Sequence, residues 1–405
     1  MLNLKITNDR TLFLTGATGL VGSEILRHLI GSGDIRVYIL IRAGNRDELR
    51  QRFYTMLFDL GLDPYGSDAI HPVSGDICLT NLGLDPQIAD QLAQEVTDVI
   101  HCASDVSFGR SIMEARKVNL SGIINLMGLV SHWRHIEQIA HISTVQVAGK
   151  RTGVIYESEL FHTSGFVNSY EQSKYEAEVY LSGLMGDLPI AIYRTSGLVG
   201  DSRTGCVRQF NWLHQLLRLF SKDLLPILPG DPDLKVDLLP IDWLVETLLY
   251  MFSERFEPGM TYHMAAGEQN SLTIRELVGL SHRCLVQSQY AHRRKVRLPK
   301  IIDQEAFAGL IDQPSNSGKY PQAKLLHTLM EDFIPQWFLP KTFDLTHLRT
   351  ALAGSSYSVP DIKVYYPKII DYCLLSNWGR ANVEPAISPT RCLSRTSYDS
   401  YEPSA

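Results

Sequence analysis

Tyr170-Glu171-Gln172-Ser173-Lys174 sets a phenol and an ammonium four residues apart, hence on one face of a helix. A tyrosine is ordinarily protonated at neutral pH, with a pKa of about 10. A nearby ammonium favours the phenolate and brings the group towards acid–base work. The pair occurs often by chance, so its weight comes from context. Ile142-Ser143-Thr144-Val145 ends an apolar run and leads to Gly149, delivering a hydroxyl to the same edge of a sheet. A second constellation is Thr15-Gly16-Ala17-Thr18-Gly19-Leu20-Val21-Gly22, which follows the first apolar run directly. Gly16 permits a tight turn, Gly19 lets backbone approach a pyrophosphate, and Gly22 lets helix and strand pack closely. The helix amino terminus then offers free N–H groups and a partial positive charge to phosphates. Any tight strand-to-helix turn can use a glycine triplet; between an apolar strand and an amphipathic helix it indicates dinucleotide binding.

The end of the second apolar run selects the dinucleotide. An NAD site usually carries an acidic residue there for the ribose 2′-hydroxyl. This chain has Val37-Tyr38-Ile39-Leu40-Ile41-Arg42, followed by Arg46, Arg50 and Arg52. A guanidinium at Arg42 suits a 2′-phosphate, being planar, always charged and able to form two parallel hydrogen bonds. NADPH (NADP+) is therefore expected over NADH. Asp76 and Ile77, after the third run, are expected at the adenine.

These residues need a scaffold, and the first 200 residues supply its pattern. Apolar runs at 11–15, 36–41, 71–74, 98–102, 138–143 and 191–194 are bounded by Gly, Ser, Asp or Thr. Without strict polar alternation they suit strands buried on both faces of a parallel sheet. Between the first two, Val21, Ile25 and Leu29, with Leu26 and Ile30, repeat at helical spacing, and Gly31 and Gly33 stop the helix. Strand and helix in alternation mean right-handed crossovers and a Rossmann-type, doubly wound α/β sheet. Beyond about residue 200 the rhythm changes. Residues 210–220 and 244–252 read as helices, 224–240 as a proline-punctuated loop, and 261–265 as one last strand. The division expected is an NADP-binding domain at 1–205, with 236–270 returning to it, and a smaller, mainly helical substrate lobe at 206–376. The Ser-, Pro-, Arg- and Tyr-rich tail at 377–405 is expected to be disordered.

Composition narrows the classes further. The 405 residues carry 38 Lys+Arg against 44 Asp+Glu, a net charge of −6 with no long run of either sign. That argues against a nucleic-acid binder, which shows a basic footprint. No apolar stretch approaches the roughly 18 residues of a membrane-spanning helix, and the amino terminus lacks a secretory core. Six scattered cysteines show neither metal-ligand spacing nor disulfide density. A cytoplasmic globular protein is expected; oligomeric state is not legible.

Taken in order, TGATGLVG, Arg42, Gly75-Asp76-Ile77, His101-Cys102-Ala103-Ser104, Ser143-Thr144 and YEQSK resemble the extended short-chain dehydrogenase/reductase superfamily. Within it, Leu40-Ile41-Arg42-Ala43 with Arg52, the stretch YRTSGLVGDSRTG from Tyr193, and VDLLPID from Val236 resemble the thioester reductase and fatty acyl-CoA reductase branch. The resemblance covers roughly residues 10–270. It implies catalysis by Thr144, Tyr170 and Lys174. It also implies cofactor contacts from Gly16, Thr18, Gly19, Leu20, Val21, Gly22, Arg42, Arg52, Asp76, Ile77, Ala103, Ser104, Ser143, Tyr170, Lys174 and Ser196. The chain departs from the branch at Thr195, where proline is frequent, and the acyl donor is expected to be held outside these 405 residues. The implied reaction is reduction of an acyl thioester, on coenzyme A or a separate carrier protein, to an aldehyde or onward to the alcohol. Another extended-family enzyme, such as a nucleotide-sugar epimerase, a dehydratase or a hydroxysteroid-type dehydrogenase, is the alternative. A scaffold that binds dinucleotide without turnover is a third reading, disfavoured by the intact hydroxyl, phenol and ammonium.

Weaker signals have plainer readings beside them. Asp237 and Asp242 flank a proline turn and are expected to brace the lobe, and His101 to be a core histidine. His292, Arg293, Arg294, Lys295, Arg297 and Lys300 could receive coenzyme A or phosphopantetheine phosphates, or form a solvated charged face. Trp212, Leu213, Leu216, Leu217 and Phe220 repeat at helical spacing and could line an acyl channel or pack a core.

Overall fold

The computed structural model describes residues 10–30, 35–62, 69–291, 295–312 and 321–381. The chain opens with Thr11–Thr15 (β1), Leu20–Ile30 (α1), Arg36–Ile41 (β2), Arg46–Asp59 (α2) and Ile70–Ser74 (β3). Pro86–Glu95 (α3), Asp98–His101 (β4), Ile112–Asn119 (α4), Ser121–Val130 (α5) and Gln138–Thr144 (β5) follow. Next come Gly153–Ile155 (β6), Ser169–Ser182 (α6), Ile190–Thr195 (β7), Gly197–Leu198 (β8) and Trp212–Ser221 (α7). Ile227–Pro229 (β9), Lys235–Val236 (β10), Leu238–Leu239 (β11), Ile241–Glu254 (α8) and Thr261–Met264 (β12) lead into the carboxyl-terminal third.

Seven strands form one sheet in the order β12-β7-β5-β4-β1-β2-β3, with every neighbouring pair parallel. The expected doubly wound sheet is what forms. β1 is TLFLT with all five residues buried, as a central parallel strand requires. The chain runs outward from β1 through β2 to β3, then returns to β4 on the other side of β1. That reversal opens a crevice at the carboxyl ends of β1 and β4, where such sheets place ligands.

Helices cover both faces. Ile25, Leu26 and Leu29 of α1, Phe53 and Leu57 of α2, and Leu244 and Leu248 of α8 pack on one side. Leu92 of α3, Leu126 and Val130 of α5, and Ala177 and Leu181 of α6 pack on the other. Helix starts are set locally: Asn45 caps α2, Ser111 and Glu114 form a capping box on α4, and Asn168 caps α6. A third apolar cluster joins Leu213 and Leu217 of α7 to Leu277, Tyr366 and Ile369 of the carboxyl-terminal helices.

Two expectations are corrected. Residues 224–240 are not only loop: β9 pairs with Lys300–Ile302, β10 with Leu272–Thr273 and β11 with β8. Prolines survive there because these are short two-stranded edges, which spare the proline a ladder bond. The tail does not begin at 377. Asn377 and Trp378 turn the chain back with φ of 46° and 59°, and Trp378 is 9% exposed within the lobe core. An indole carries enough apolar area to hold that turn down. Residues 382–405, and Gly31 and Gly33, lie outside the described residues.

Candidate active site

β1 ends in the glycine turn. Gly16 has φ +74°, and the Gly19 N–H donates to its carbonyl at 2.9 Å. A Cβ on Gly16 would stand 2.5 Å from the Ala103 nitrogen, and one on Gly22 2.3 Å from the Gly16 oxygen. Backbone occupies both spaces, so neither position can take a side chain. From this turn a groove of about 2110 Å³ runs along the strand ends, well above the roughly 300–1,000 Å³ of ordinary ligand pockets. Gly16, Thr18, Gly19, Arg42, Arg52, Asp76, Ile77, Ala103 and Ser104 all line it. Leu20, Val21 and Gly22 form the first turn of α1 beneath.

Around the groove the side chains divide their work. Arg42 is exposed, and among the described residues no hydrogen bond or ion pair holds its guanidinium. Arg52 donates to the Arg42 carbonyl and lies 3.8 Å from Glu48, so it braces the loop that presents Arg42. The Asp76 carboxylate accepts from the Cys78 N–H at 2.9 Å, and Ile77 is buried with its carbonyl held by Asn125. The residues present fit a dinucleotide: a glycine turn no side chain can enter, a helix amino terminus, and an unpaired guanidinium at the end of β2.

The second constellation sits where β5 meets α6. Tyr170 is in the first turn of α6, half-buried, and shares a hydroxyl–hydroxyl hydrogen bond with Thr144. The Lys174 ammonium, one turn on, donates to the Ile142 carbonyl at 2.9 Å and lies 3.3 Å from His141 Nε2. Burial pushes the Tyr170 phenol up to about 12, with the Thr144 bond opposing and the Glu171 carboxylate reinforcing. The expected lowering by Lys174 is not found, because the ammonium turns to the β5 backbone and desolvation of the phenol dominates. Burial lowers Lys174 itself to about 8, against the pull of Glu178.

The two sets adjoin through shared neighbours. Cys102 lines the groove and its thiol feels the Lys174 charge. Asn119, which sequence reasoning missed, ties them: its amide accepts from Ser104 Oγ at 2.9 Å and donates to Ser173 of α6 at 2.9 Å. The available signal was a lone amide at the end of an amphipathic helix. Phe108, also missed, packs edge-on to Tyr170 at 5.6 Å between ring centroids.

Ser143 is a correction. Its hydroxyl donates to Glu178, which forms a 2.8 Å ion pair with Arg194, and all three are buried. Successive strand residues point to opposite faces, so Thr144 turns to Tyr170 while the Ser143 side chain turns to the buried pair, and neither lines the groove. Ser196 is 8% exposed and does not line the groove; its N–H donates to the Met264 carbonyl.

The weaker signals resolve towards structure. His101 is buried, hydrogen-bonded to Thr15 at 2.7 Å and lowered to about 3 by burial. Asp237 accepts from the Ala266 and Gly267 N–H groups at 2.8 Å each, and Asp242 from Ser202. Leu213, Leu216, Leu217 and Phe220 are buried in the lobe core. The cavity beside them, about 50 Å³, has room for a water or two rather than an acyl chain. Arg297 pairs with Asp223 at 3.1 Å on the surface, while His292, Arg293 and Arg294 lie outside the described residues. No helix among the described residues is long and apolar enough to cross a membrane.

Residues 14–248, more than half of the chain, match the NAD-binding family model described as male sterility protein. The chain is 28% identical over 261 residues to a linear gramicidin synthase component from Brevibacillus parabrevis, covering 62% of this chain and 5% of that protein. It is 23% identical over 309 residues to a Drosophila melanogaster protein whose name places it with the fatty acyl-CoA reductases, covering 66% and 57%. The chain thus spans only part of these relatives. The terminal R domain of the myxalamid pathway superposes with a TM-score of 0.75 at 23% identity, over 92% of each chain. UDP-glucuronic acid 4-epimerase from Bacillus cereus, solved with NAD, superposes at 0.62 with 16% identity over 91% and 99%. These likenesses establish the fold. The family match establishes membership: the chain belongs to the male sterility protein family of extended short-chain dehydrogenase/reductases, which are NAD(P)-dependent reductases.

Proposed function

We propose that this male sterility protein family member is an NADPH-dependent reductase of acyl thioesters, with Thr144, Tyr170 and Lys174 as its reacting groups. The observation that carries this is the hydrogen-bonded Thr144–Tyr170 pair, one helical turn from a buried Lys174 and linked through Cys102 and Asn119 to a groove that the unpaired Arg42 lines. Arg42 and the α1 amino terminus would hold the 2′-phosphate and pyrophosphate. The nicotinamide, when bound, supplies hydride to the thioester carbonyl.

Thr144 and Tyr170 then donate hydrogen bonds to the carbonyl oxygen as it becomes an oxyanion; one such donor is worth about 10²–10³ in rate. Tyr170 gives up its proton, and Lys174 would orient the cofactor ribose with protons its Ile142 bond leaves free. Collapse of the hemithioacetal expels the thiol and leaves an aldehyde, whose reduction to the alcohol would take a second NADPH, with Tyr170 again supplying the proton. A thioester on a carrier protein or coenzyme A is supported by the kinds of relatives found: a gramicidin synthase, an insect protein of fatty acyl-CoA reductase name, and an archaeal thiolation-reductase di-domain of the same fold.

The test is NADPH oxidation with a panel of acyl-coenzyme A and acyl-pantetheine thioesters, products identified by mass spectrometry. Thioester-dependent oxidation yielding aldehyde or alcohol is expected. Oxidation with nucleotide sugars and none with thioesters would favour the epimerase-like reading, which the shared fold of the epimerase keeps in view.

A further inference from the structure

The first turn of α6 is held from outside the sheet domain as well as from within it. Inside, Asn168 accepts from the Glu171 N–H at 3.0 Å, and Glu171 Oε2 accepts from the Val167 N–H at 2.9 Å. The other carboxylate oxygen, Oε1, accepts from Asn168 Nδ2 at 3.3 Å and, across 165 positions of sequence, from Gln336 Nε2 at 2.5 Å. Gln336 is oriented in turn: its Oε1 accepts from Lys341 Nζ at 3.0 Å, and the same ammonium donates to the Gly149 carbonyl at 2.5 Å. Gly149 closes the turn that follows β5, four residues after Val145 and five after Thr144. Lys341 therefore touches, directly or through one amide, both the segment carrying Thr144 and the helix turn carrying Tyr170.

Neighbouring contacts extend the clasp. Asn168 Nδ2 donates to the Asp332 carbonyl at 3.0 Å. Phe333 packs on Phe108 at 5.5 Å, and Phe108 on Tyr170. Residues Lys341–Phe343 form a short strand that runs parallel to β6. Glu171 is fully buried and Gln336 8% exposed, so both polar groups depend on these partners. Burial raises the Glu171 carboxyl, and the Val167 N–H, the Gln336 bond and the Lys341 and Lys150 charges oppose that rise.

We infer that Lys341 and Gln336 are positioning residues, a latch by which the carboxyl-terminal lobe fixes the Tyr170 turn of α6 relative to Thr144. The consequence for turnover rests on the reading of Tyr170 as proton donor; the mechanical claim does not. Buried polar groups deprived of a partner are costly, and a helix end without its caps opens first.

The experiment compares full-length wild type with Lys341→Met, Gln336→Met and the conservative Lys341→Arg by hydrogen exchange of peptides spanning 165–175 and 146–151. In both Met variants, exchange about tenfold faster in those two segments is expected, with β1 and α8 unchanged and Lys341→Arg near wild type. Unchanged exchange in the two segments, or an equal increase throughout the chain, would overturn the latch. A turnover assay with the thioester panel adds a split reading, with Tyr170→Phe as reference. Lower kcat with unaltered NADPH affinity in Lys341→Met, restored by Lys341→Arg, is the expected pattern. Should Tyr170→Phe remain fully active while local exchange still rises, the latch stands and the role given to Tyr170 fails.

Discussion

The Ser143 hydroxyl donates to the Glu178 carboxylate, while Thr144, the next residue, turns to Tyr170. One strand end therefore serves two faces: the Tyr170 phenol on one side and a buried ion pair on the other. Glu178 is 0% and Arg194 2% exposed, joined at 2.8 Å, and Arg194 also reaches the Glu159 carbonyl and His263. Lys174 lies one turn before Glu178 on α6, so this pair supports the helix that carries the reacting groups.

Removing one partner of a buried ion pair leaves the other uncompensated, at a cost of about 3–5 kcal/mol. Glu178→Gln should accordingly lose about that much in denaturant unfolding. Ser143→Ala should cost only about 1 kcal/mol and leave NADPH affinity unaltered. A tenfold weaker affinity in Ser143→Ala would return this residue to the cofactor.

Tyr170→Phe removes the proposed proton donor and keeps the ring against Phe108. Turnover should fall by about 10²–10⁴, with NADPH affinity nearly unchanged in a fluorescence titration. Wild-type turnover in this variant would remove Tyr170 from the mechanism.

Arg42→Asp replaces the unpaired guanidinium at the groove with the acid typical of NAD sites. The ratio of NADPH to NADH dissociation constants should reverse towards NADH. An unaltered ratio would place the 2′-phosphate on another cation.

Four buried histidines make stability sensitive to acid. Burial lowers His101 and His263 from 6.5 to about 3, His214 to about 4, and His141 well below its ordinary value. The unfolded chain takes up protons below 6.5 that the folded one refuses, so stability is full above that pH and is lost as pH falls. At about pH 5 each refused proton is worth about 2 kcal/mol. The raised carboxyls of Glu157, Glu171, Asp237 and Asp242 act with opposite sign. The melting temperature should fall between pH 6.5 and 5 as the histidines dictate; a flat or rising curve would show the carboxyls in control.

Much of the site was legible because its signals are local. The glycine spacing of residues 16–22 reports backbone crowding, and the structure places Ala103 and Gly16 backbone where side chains would be. The strand runs were legible because burial on both faces leaves an unbroken apolar word, and β1 and β2 form over the residues expected. The four-residue spacing of Tyr170 and Lys174 holds on α6. What spacing could not carry is direction. Lys174 shares the Tyr170 face, yet its ammonium finds the Ile142 carbonyl, a partner 32 positions away. Ser143 and Thr144 are adjacent letters with opposite surroundings. Trp378 reads as tail until the lobe core receives it. Gln336 and Lys341 carry no motif at all, because their meaning lies in Glu171 and Gly149, brought to them only by the packing of the carboxyl-terminal lobe. The sheet, the glycine turn and the helix bearing the phenol each follow from contacts within a few residues, so the local order of the chain already held them. Which polar groups pair was settled by folding, because desolvation and hydrogen-bond geometry depend on neighbours that are distant in the chain.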